Sequence, residues 1–175
     1  MKSSPILVAI LFGAAGSVAM AQNTDVKHTS ISASEFVEKA GRGGLAEVEM
    51  GQLGAQKATN GQVKDFAKRM VTDHTQANGE LAALTKGKGV QIPSSQSADH
   101  KAMMDKFQQQ HAGKDFDRDY IEQMVDDHKE DIELFETAAD DASLDSDLRG
   151  YAKKTLPTLR DHLKQAQTIQ SKLSK

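Results

Sequence analysis

The sequence contains no cysteine and no tryptophan, and aromatic residues make up only 5% of its 175 residues. Without cysteine there are no disulfides, no thiolate metal ligands and no cysteine nucleophile. The scarcity of aromatic residues disfavours a large aromatic-rich sandwich or barrel. Lys and Arg number 22 against 25 Asp and Glu, a net charge of −3, so the basic excess typical of nucleic-acid-binding proteins is missing and we expect no nucleic-acid partner.

Sequence motifs for the common enzyme classes are also missing. The chain has no G-x-S-x-G, no phosphate loop, no dinucleotide fingerprint and no H-E-x-x-H. We therefore expect no catalytic residues of these classes.

The N-terminal segment, residues 1–21, is typical of a secretory signal peptide. Lys2 precedes an apolar run of 13 residues from 6 to 18, and Ala19 and Ala21 form an A-x-A cleavage site. The alternative is a membrane anchor, but a helix needs about 20 apolar residues to span a bilayer. We expect cleavage after Ala21, export to the periplasm, and no transmembrane segment in the mature chain.

The mature chain predicts an all-α protein. Residues 22–33 are polar and aperiodic and predict a flexible lead, whereas residues 34–172 carry the 3.6-residue apolar period of helices. The predicted helices cover about 35–57, 61–86, 98–110 and 115–139, and a last one begins at Ser143; Ser34, Asn60 and Ser97 are the predicted N-caps of the first three. Four long helices and one long connection carrying a short helix are typical of a four-helix bundle with one crossover.

Three histidines lie on the apolar stripes of three different long helices. His74, His128 and His162 each follow apolar or small residues at spacings of three, four or seven, so all three side chains should point inward. Glu47 lies beside the apolar face of the first helix, among small residues that allow another helix to approach. Counted from the helix starts, these four residues lie at similar depths, except that His162 lies somewhat deeper.

A cluster of these four side chains has two interpretations. Three imidazoles and one carboxylate suit one transition-metal ion, such as zinc, copper, iron or nickel. Alternatively, the inward histidines form a structural network of hydrogen bonds, since buried polar groups require partners. The sequence alone leaves both open.

Aspartate precedes four of the six histidines, at His74, His100, His128 and His162. Neighbouring residues on a helix differ by 100°, so each Asp could orient a histidine of an adjacent helix. It could equally form a salt bridge at the surface or boundary, and we favour the salt bridge.

Methionine lies one turn before two of these histidines, in the repeated pattern M-V-x-D-H at 70–74 and 124–128. Thioether and imidazole ligands together would favour copper, especially Cu(I). Methionine also fills gaps in apolar cores, and we favour that role.

A longer set of motifs resembles a bacterial family of exported ferritin-like proteins of unknown function, often labelled as outer membrane proteins. The motifs are AEVEMG at 46–51, FAKRMVTDH at 66–74, FDRDY at 116–120 followed by His128, and LPTLRDHL at 156–163. The similarity extends over about residues 34–169. It implies a ferritin-like four-helix bundle with one long crossover carrying a short extra helix, and it implies no particular activity.

The resemblance also suggests a comparison with di-iron centres, which need Glu-x-x-His on two helices. Here the residues three before the inward histidines are Val71, Val125 and Leu159, so a di-iron site is not expected. A mononuclear site at Glu47, His74, His128 and His162 remains, and it predicts a role in metal handling or stress tolerance. The alternatives are a non-catalytic structural or interaction protein with an unknown protein partner, and a redox or hydrolytic metalloenzyme.

Overall fold

The computed structural model describes residues 30–174 and confirms the all-α prediction. The predicted signal peptide, its cleavage site after Ala21 and residues 22–29 of the predicted lead lie outside this range. Within it the chain has no strand, and no helix is long and apolar enough to cross a membrane. The helices are α1 (Ala33–Lys57), α2 (Gly61–Thr85), α3 (Ala98–Gln109), α4 (Lys114–Asp140) and α5 (Ser146–Leu173).

Two predicted helix starts are wrong by a few residues. α1 is capped by Ser32, whose hydroxyl accepts a hydrogen bond from the N–H of Glu35, and not by Ser34. α5 begins at Ser146 and not at Ser143, because the hydroxyl and N–H of Ser143 both donate to Asp141 while Asp145 supplies the cap. The predicted caps of α2 and α3, Asn60 and Ser97, are confirmed.

The long helices form a bundle in which α1 packs on α2, α4 on α5, α2 on α5, and α1 on α4. Short loops join the first two pairs, and the connection from α2 to α4 is long and carries α3, which packs against α1. The carboxylate of Asp117, at the start of α4, accepts hydrogen bonds from Thr59 and Asn60. α2 and α4 therefore begin at the same end of the bundle, as one long crossover requires.

Small residues of α1 permit its close approach to α2. A Cβ atom at Gly51 would lie 2.9 Å from the backbone oxygen of Ala67, and one at Gly44 would lie 2.0 Å from the side-chain oxygen of Asn78. A larger residue at Gly51 would push against the backbone of α2, whereas one at Gly44 would displace the side chain of Asn78. The first helix is thereby held against α2 on both sides of Glu47.

The described part of the predicted lead contacts the bundle. Ile31 is buried, and its N–H donates to the carboxylate of Asp141 over 2.8 Å in the loop between α4 and α5. The helical domain therefore begins before residue 34, with Ala33 already inside α1.

The buried apolar side chains form two clusters, one towards each end of the bundle. The crossover-end cluster, where the long connection reaches α4, comprises Met50, Ala58, Val63, Phe66, Ala67, Met70, Met104, Phe107, Phe116, Tyr120, Ile121, Met124, Val125, Ala166 and Ile169. The N-terminal cluster comprises Ile31, Phe36, Val37, Ala40, Leu81, Phe135, Ala138, Ala139, Leu144, Leu148, Tyr151, Ala152, Leu156 and Leu159. On each long helix, one buried polar residue lies between its contributions to the two clusters.

Candidate metal centre

The four polar residues between the clusters are the four predicted site residues. Glu47, His74, His128 and His162 lie near the middles of α1, α2, α4 and α5, and their exposed fractions are 3%, 5%, 0% and 1%. We call them the polar layer. The helical period predicted correctly that the three histidine side chains would point inward, and the antiparallel packing of neighbouring helices brings all four residues to one level.

Three members of the polar layer converge. One ligand atom from each of His74, His128 and His162 lies within 4.8 Å of the other two. Nε2 of His128 lies 3.2 Å from Nδ1 of His162, and the ring centroids of the three histidines are 5.2–5.6 Å apart. Two nitrogens bound tetrahedrally to one metal ion at 2.0–2.1 Å are about 3.3 Å apart, so the closest pair already has this separation.

The outer ring nitrogens of two histidines are held as hydrogen-bond donors. Nδ1 of His128 lies 2.8 Å from the carbonyl oxygen of Met124, which can only accept. Nε2 of His162 lies 2.8 Å from a carboxylate oxygen of Asp73, which also accepts from Arg69. A neutral imidazole carries one proton, so the two inner nitrogens, 3.2 Å apart, both present lone pairs. Only a proton or a cation between them makes this contact favourable.

The third histidine has a buried atom without a partner. Nε2 of His74 is inaccessible to solvent and makes no hydrogen bond within residues 30–174. A small cavity of about 20 Å³ is lined by His74, His162, Asp73 and Asp131 among others. A buried polar atom without a partner is costly, and a ligand would satisfy it.

Burial lowers the pKa of all three histidines. Desolvation is the main cause in each case, and the neighbouring imidazoles lower the pKa of His74 and His128 further. The pKa of His128 is about 4, and the bond to Asp73 only partly offsets the lowering at His162. The rings are therefore neutral at pH 7, and a proton between His128 and His162 is disfavoured.

The fourth predicted ligand, Glu47, lies outside this group of nitrogens. Its Oε1 is 3.8 Å from Nδ1 of His128, the ring nitrogen that faces away from His162, and its Oε2 is buried without a hydrogen bond to any described residue. Burial, followed by repulsion from Asp127 and Asp131, raises the pKa of Glu47 well above its ordinary value. The rotation of α1 relative to α4 puts this carboxyl behind His128, which no helical period could predict.

Two carboxyl groups near the polar layer, those of Asp127 and Asp131, were not predicted from the sequence as site residues. Burial raises the pKa of Asp131 to about 7 and that of Asp127 to about 6, with repulsion from other carboxylates adding to both. Asp131 lies one turn after His128 on the same helix, and this spacing was the available signal.

The Asp that precedes each histidine has different partners at different positions. Asp73 binds His162 of an adjacent helix, so at this position the favoured salt bridge is only part of its role. Asp161 accepts from Arg69 over 2.6 Å and is such a salt bridge. Met70 and Met124 are fully buried members of the crossover-end cluster, in agreement with the core role.

The residues present fit a transition-metal ion. The donor set is three neutral imidazoles with two opposed lone pairs and one partnerless buried nitrogen, and imidazole suits zinc, copper, iron and nickel. The carboxylate of Asp73 would fix the orientation of His162 from behind, as is usual for metal-binding histidines.

Comparisons with known proteins identify a family and a fold. A family model described as "Domain of unknown function (DUF4142)" matches residues 17–169. This match carries neither a ferritin-like name nor an outer-membrane label. No curated protein matches the chain. A solved structure titled "CopM in the Cu(II)-bound form" is similar, with a TM-score of 0.68 and 15% identity over 82% of this chain and 98% of that chain. At this identity the similarity establishes the fold alone.

Proposed function

The chain belongs to the DUF4142 family, whose function is unknown, and from this premise we propose that it binds one transition-metal ion. The ligands are the imidazoles of His74, His128 and His162. Its role is then to handle metal ions in the periplasm, the compartment to which we expect it to be exported.

The observation that carries the proposal is the contact between Nε2 of His128 and Nδ1 of His162. The bonds to Met124 and Asp73 leave both nitrogens without a proton at a separation of 3.2 Å. Burial disfavours an added proton because it lowers the pKa of both rings. A metal ion accepts both lone pairs and also provides a partner for Nε2 of His74, which would be the third ligand.

Zinc, copper and iron all suit such nitrogen donors. The bundle with a similar fold is titled in a Cu(II)-bound form, which makes copper the first ion to test. Met70 and Met124 are buried in the apolar cluster, so the proposed donor set is imidazole alone.

We assign Glu47 a supporting role in this site. Its carboxyl lies 3.8 Å from Nδ1 of His128, on the opposite side of the ring from His162. There it would steady the ring that carries one of the ligating nitrogens, and it would bind the metal directly only after a change of side-chain rotamer.

Export remains part of the proposal. It rests on the basic residue, the apolar run and the A-x-A site within residues 1–21. Detection of a mature chain that begins at Gln22 in the periplasm would support it, and retention of residues 1–21 in the cell membrane would contradict it.

The test measures bound metal after dialysis, with copper and zinc offered separately to metal-free protein. We expect close to one equivalent for the wild type, and a loss of at least tenfold in affinity for His128→Ala and for His162→Ala. His111→Ala is the matched control, since His111 is exposed and should bind as the wild type does. Failure of the wild type to bind copper, zinc or iron would refute the proposal.

A structural polar network is the second candidate, and the chain of bonds from Met124 through His128 and His162 to Asp73 favours it. That network needs one extra proton between the two rings. It predicts that metal leaves the melting temperature unchanged. Metal binding predicts a stabilisation of about 4 kcal/mol at a free metal concentration 1,000 times the Kd.

A further inference from the structure

A cavity of about 480 Å³ opens on the face formed by α1 and α4, next to the polar layer. Six acidic residues and only two basic residues line it, together with His100. Both basic residues are already paired, Lys39 with Glu35 and Arg42 with Glu38. The cavity is therefore strongly acidic on the side of α4.

Two of the carboxyls lie in the wall between this cavity and the histidines. Glu47 lines the cavity and reaches to within 3.8 Å of His128. Asp131 lines both this cavity and the small cavity of about 20 Å³ against His74 and His162. Only the side chains of Glu47 and Asp131 would thus separate a cation in the large cavity from the imidazole nitrogens on this side.

Polar atoms at this cavity lack partners within the described chain. Oε2 of Glu47, a residue only 3% exposed, makes no hydrogen bond, and neither does the buried Nδ1 of His100. Such atoms indicate a ligand, because burial without a partner costs free energy. Carboxylate oxygens crowded around one space attract a divalent cation that still carries part of its water shell.

We propose that the acidic cavity is a cation-binding vestibule through which a hydrated divalent metal ion reaches the histidine nitrogens. Asp127, Asp131 and Glu47 are its oxygen ligands. This inference rests on the proposed function, since it assigns the entry route of that same site. No bond is made or broken other than coordination, and water leaves the ion as imidazole replaces it.

The opposite face offers a rival route. A cavity of about 170 Å³ between α2 and α5 shares Asp73 with the small cavity, but its lining includes Arg69 and Lys154 as well as Glu80. At that mouth two basic residues balance two acidic ones, whereas at the acidic cavity six acidic residues outnumber two basic ones, so the acidic cavity attracts a cation more strongly.

The experiment is stopped-flow loading of metal-free protein with Co²⁺, followed by the visible absorption of the nitrogen-bound ion. The variant is Asp127→Asn/Asp131→Asn, and the matched control is Asp126→Asn, an exposed neighbour outside the cavity lining. We expect the double variant to load at least tenfold more slowly and the control to change less than twofold. The equilibrium content of Co²⁺ after long incubation should be near one equivalent in the wild type and in the control.

The dependence of the loading rate on salt concentration is a second readout, and the wild type alone already tests its first part. Loading of the wild type should slow as ionic strength rises, because salt screens the attraction of the cavity for the ion, and the double variant should lose most of this dependence. Circular dichroism checks that the double variant is folded. If it is not, the single variant Asp127→Asn takes its place, with at least a threefold slowing expected.

The two possible failures can be distinguished. If the wild type never acquires Co²⁺, copper or zinc, the proposed function has failed. If the wild type loads and the double variant loads at the same rate with the same salt dependence, the vestibule is wrong. If Glu80→Gln slows loading and the double variant does not, the ion enters between α2 and α5, which also overturns the inference.

Discussion

The apolar clusters at the two ends of the bundle and the polar layer between them are built from the same four helices. In each cluster the side chains are apolar and packed against one another. In the polar layer, three buried atoms or contacts are left unsatisfied: Nε2 of His74, Oε2 of Glu47, and the opposed nitrogens of His128 and His162. The clusters account for stability by burial of apolar area, whereas the polar layer reduces stability unless something binds there.

The polar layer differs from the usual packing of a helical bundle. A bundle could have continued its apolar stripes through the middle, since replacing buried polar groups by apolar ones of similar size is often neutral or stabilising. Four polar residues, one per long helix at one level, instead interrupt all four stripes. The layer is costly for folding alone and suits the binding of a ligand.

Truncation of a phenylalanine in an apolar cluster should lower the free energy of unfolding more than any other change considered. Phe36→Ala removes a fully buried ring that lies 5.3 Å from the ring of Phe135, and we expect the free energy of unfolding to fall by about 3–5 kcal/mol. Phe66→Ala should cost a similar amount. Urea titration measures both.

The two phenylalanines differ in their effect on the polar layer. Phe66 lies 6.4 Å, centroid to centroid, from both His128 and His162, whereas Phe36 packs against Phe135 and Tyr151. Metal affinity should fall in Phe66→Ala and stay as in the wild type in Phe36→Ala. Equal loss of affinity in both would show that the cluster and the layer are not separable.

A smaller change in stability is expected from the titration of a buried carboxyl in the wall of the acidic cavity. The pKa of Asp131 is about 7 in the folded chain, above its ordinary value of 3.8. Its contribution to stability is therefore fully present below pH 3.8 and is lost as the pH rises through 7. Asp131→Asn removes this loss and should stabilise the metal-free protein at pH 8 relative to the wild type by roughly 1–3 kcal/mol, with little gain at pH 4.5.

Unfolding by urea in the presence of chelator at the two pH values measures this difference. The histidines titrate in both proteins, so their contribution largely cancels in the comparison. Asp126→Asn, at an exposed position, should give the same difference from the wild type at both pH values. A gain from Asp131→Asn that is independent of pH would contradict the prediction.

The smallest expected effect lies inside the polar layer. His74→Leu removes a buried nitrogen that has no partner, so the metal-free protein should become more stable by about 1 kcal/mol while metal binding is lost. His162→Leu is the contrast, because it removes the partner of Asp73 and should be destabilising. Thermal melts with and without metal test both, and a loss of stability in His74→Leu would show that its ring has a structural partner.

Much of the fold could be predicted from local signals. The helical period, the caps at Asn60 and Ser97, and the break between α2 and α3 are each properties of short segments. The starts of α1 and α5 were misplaced because several Ser and Asp residues compete there for the cap. At α5 the deciding hydrogen bonds are local, from Ser143 to Asp141 and from Asp147 to Asp145, but apolar spacing alone does not rank the competing caps. Before α1 the N–H of Ile31 is bound by Asp141, 110 residues away, and that bond depends on the tertiary structure.

The site was predictable only in part. Which face of its helix a histidine occupies follows from 100° per residue, so His74, His128 and His162 were correctly expected to point inward. The bond from Asp73 to His162 joins residues 89 apart and depends on how α2 and α5 pack. The placement of Glu47 behind His128 depends in the same way on α1 and α4.

The helical character of the chain and the polar residue in each long apolar stripe follow from the order of residues, because both depend on spacing along a single helix. The packing of the helices was needed to bring the four polar residues to one level, to set two nitrogen lone pairs 3.2 Å apart, and to form the adjoining acidic cavity. The level of each residue along the bundle, the rotation of each helix about its axis and the rotamer of each side chain are set by contacts between helices. The packing of side chains such as Asn78 and Val71 against Gly44 and Gly51 contributes to these contacts.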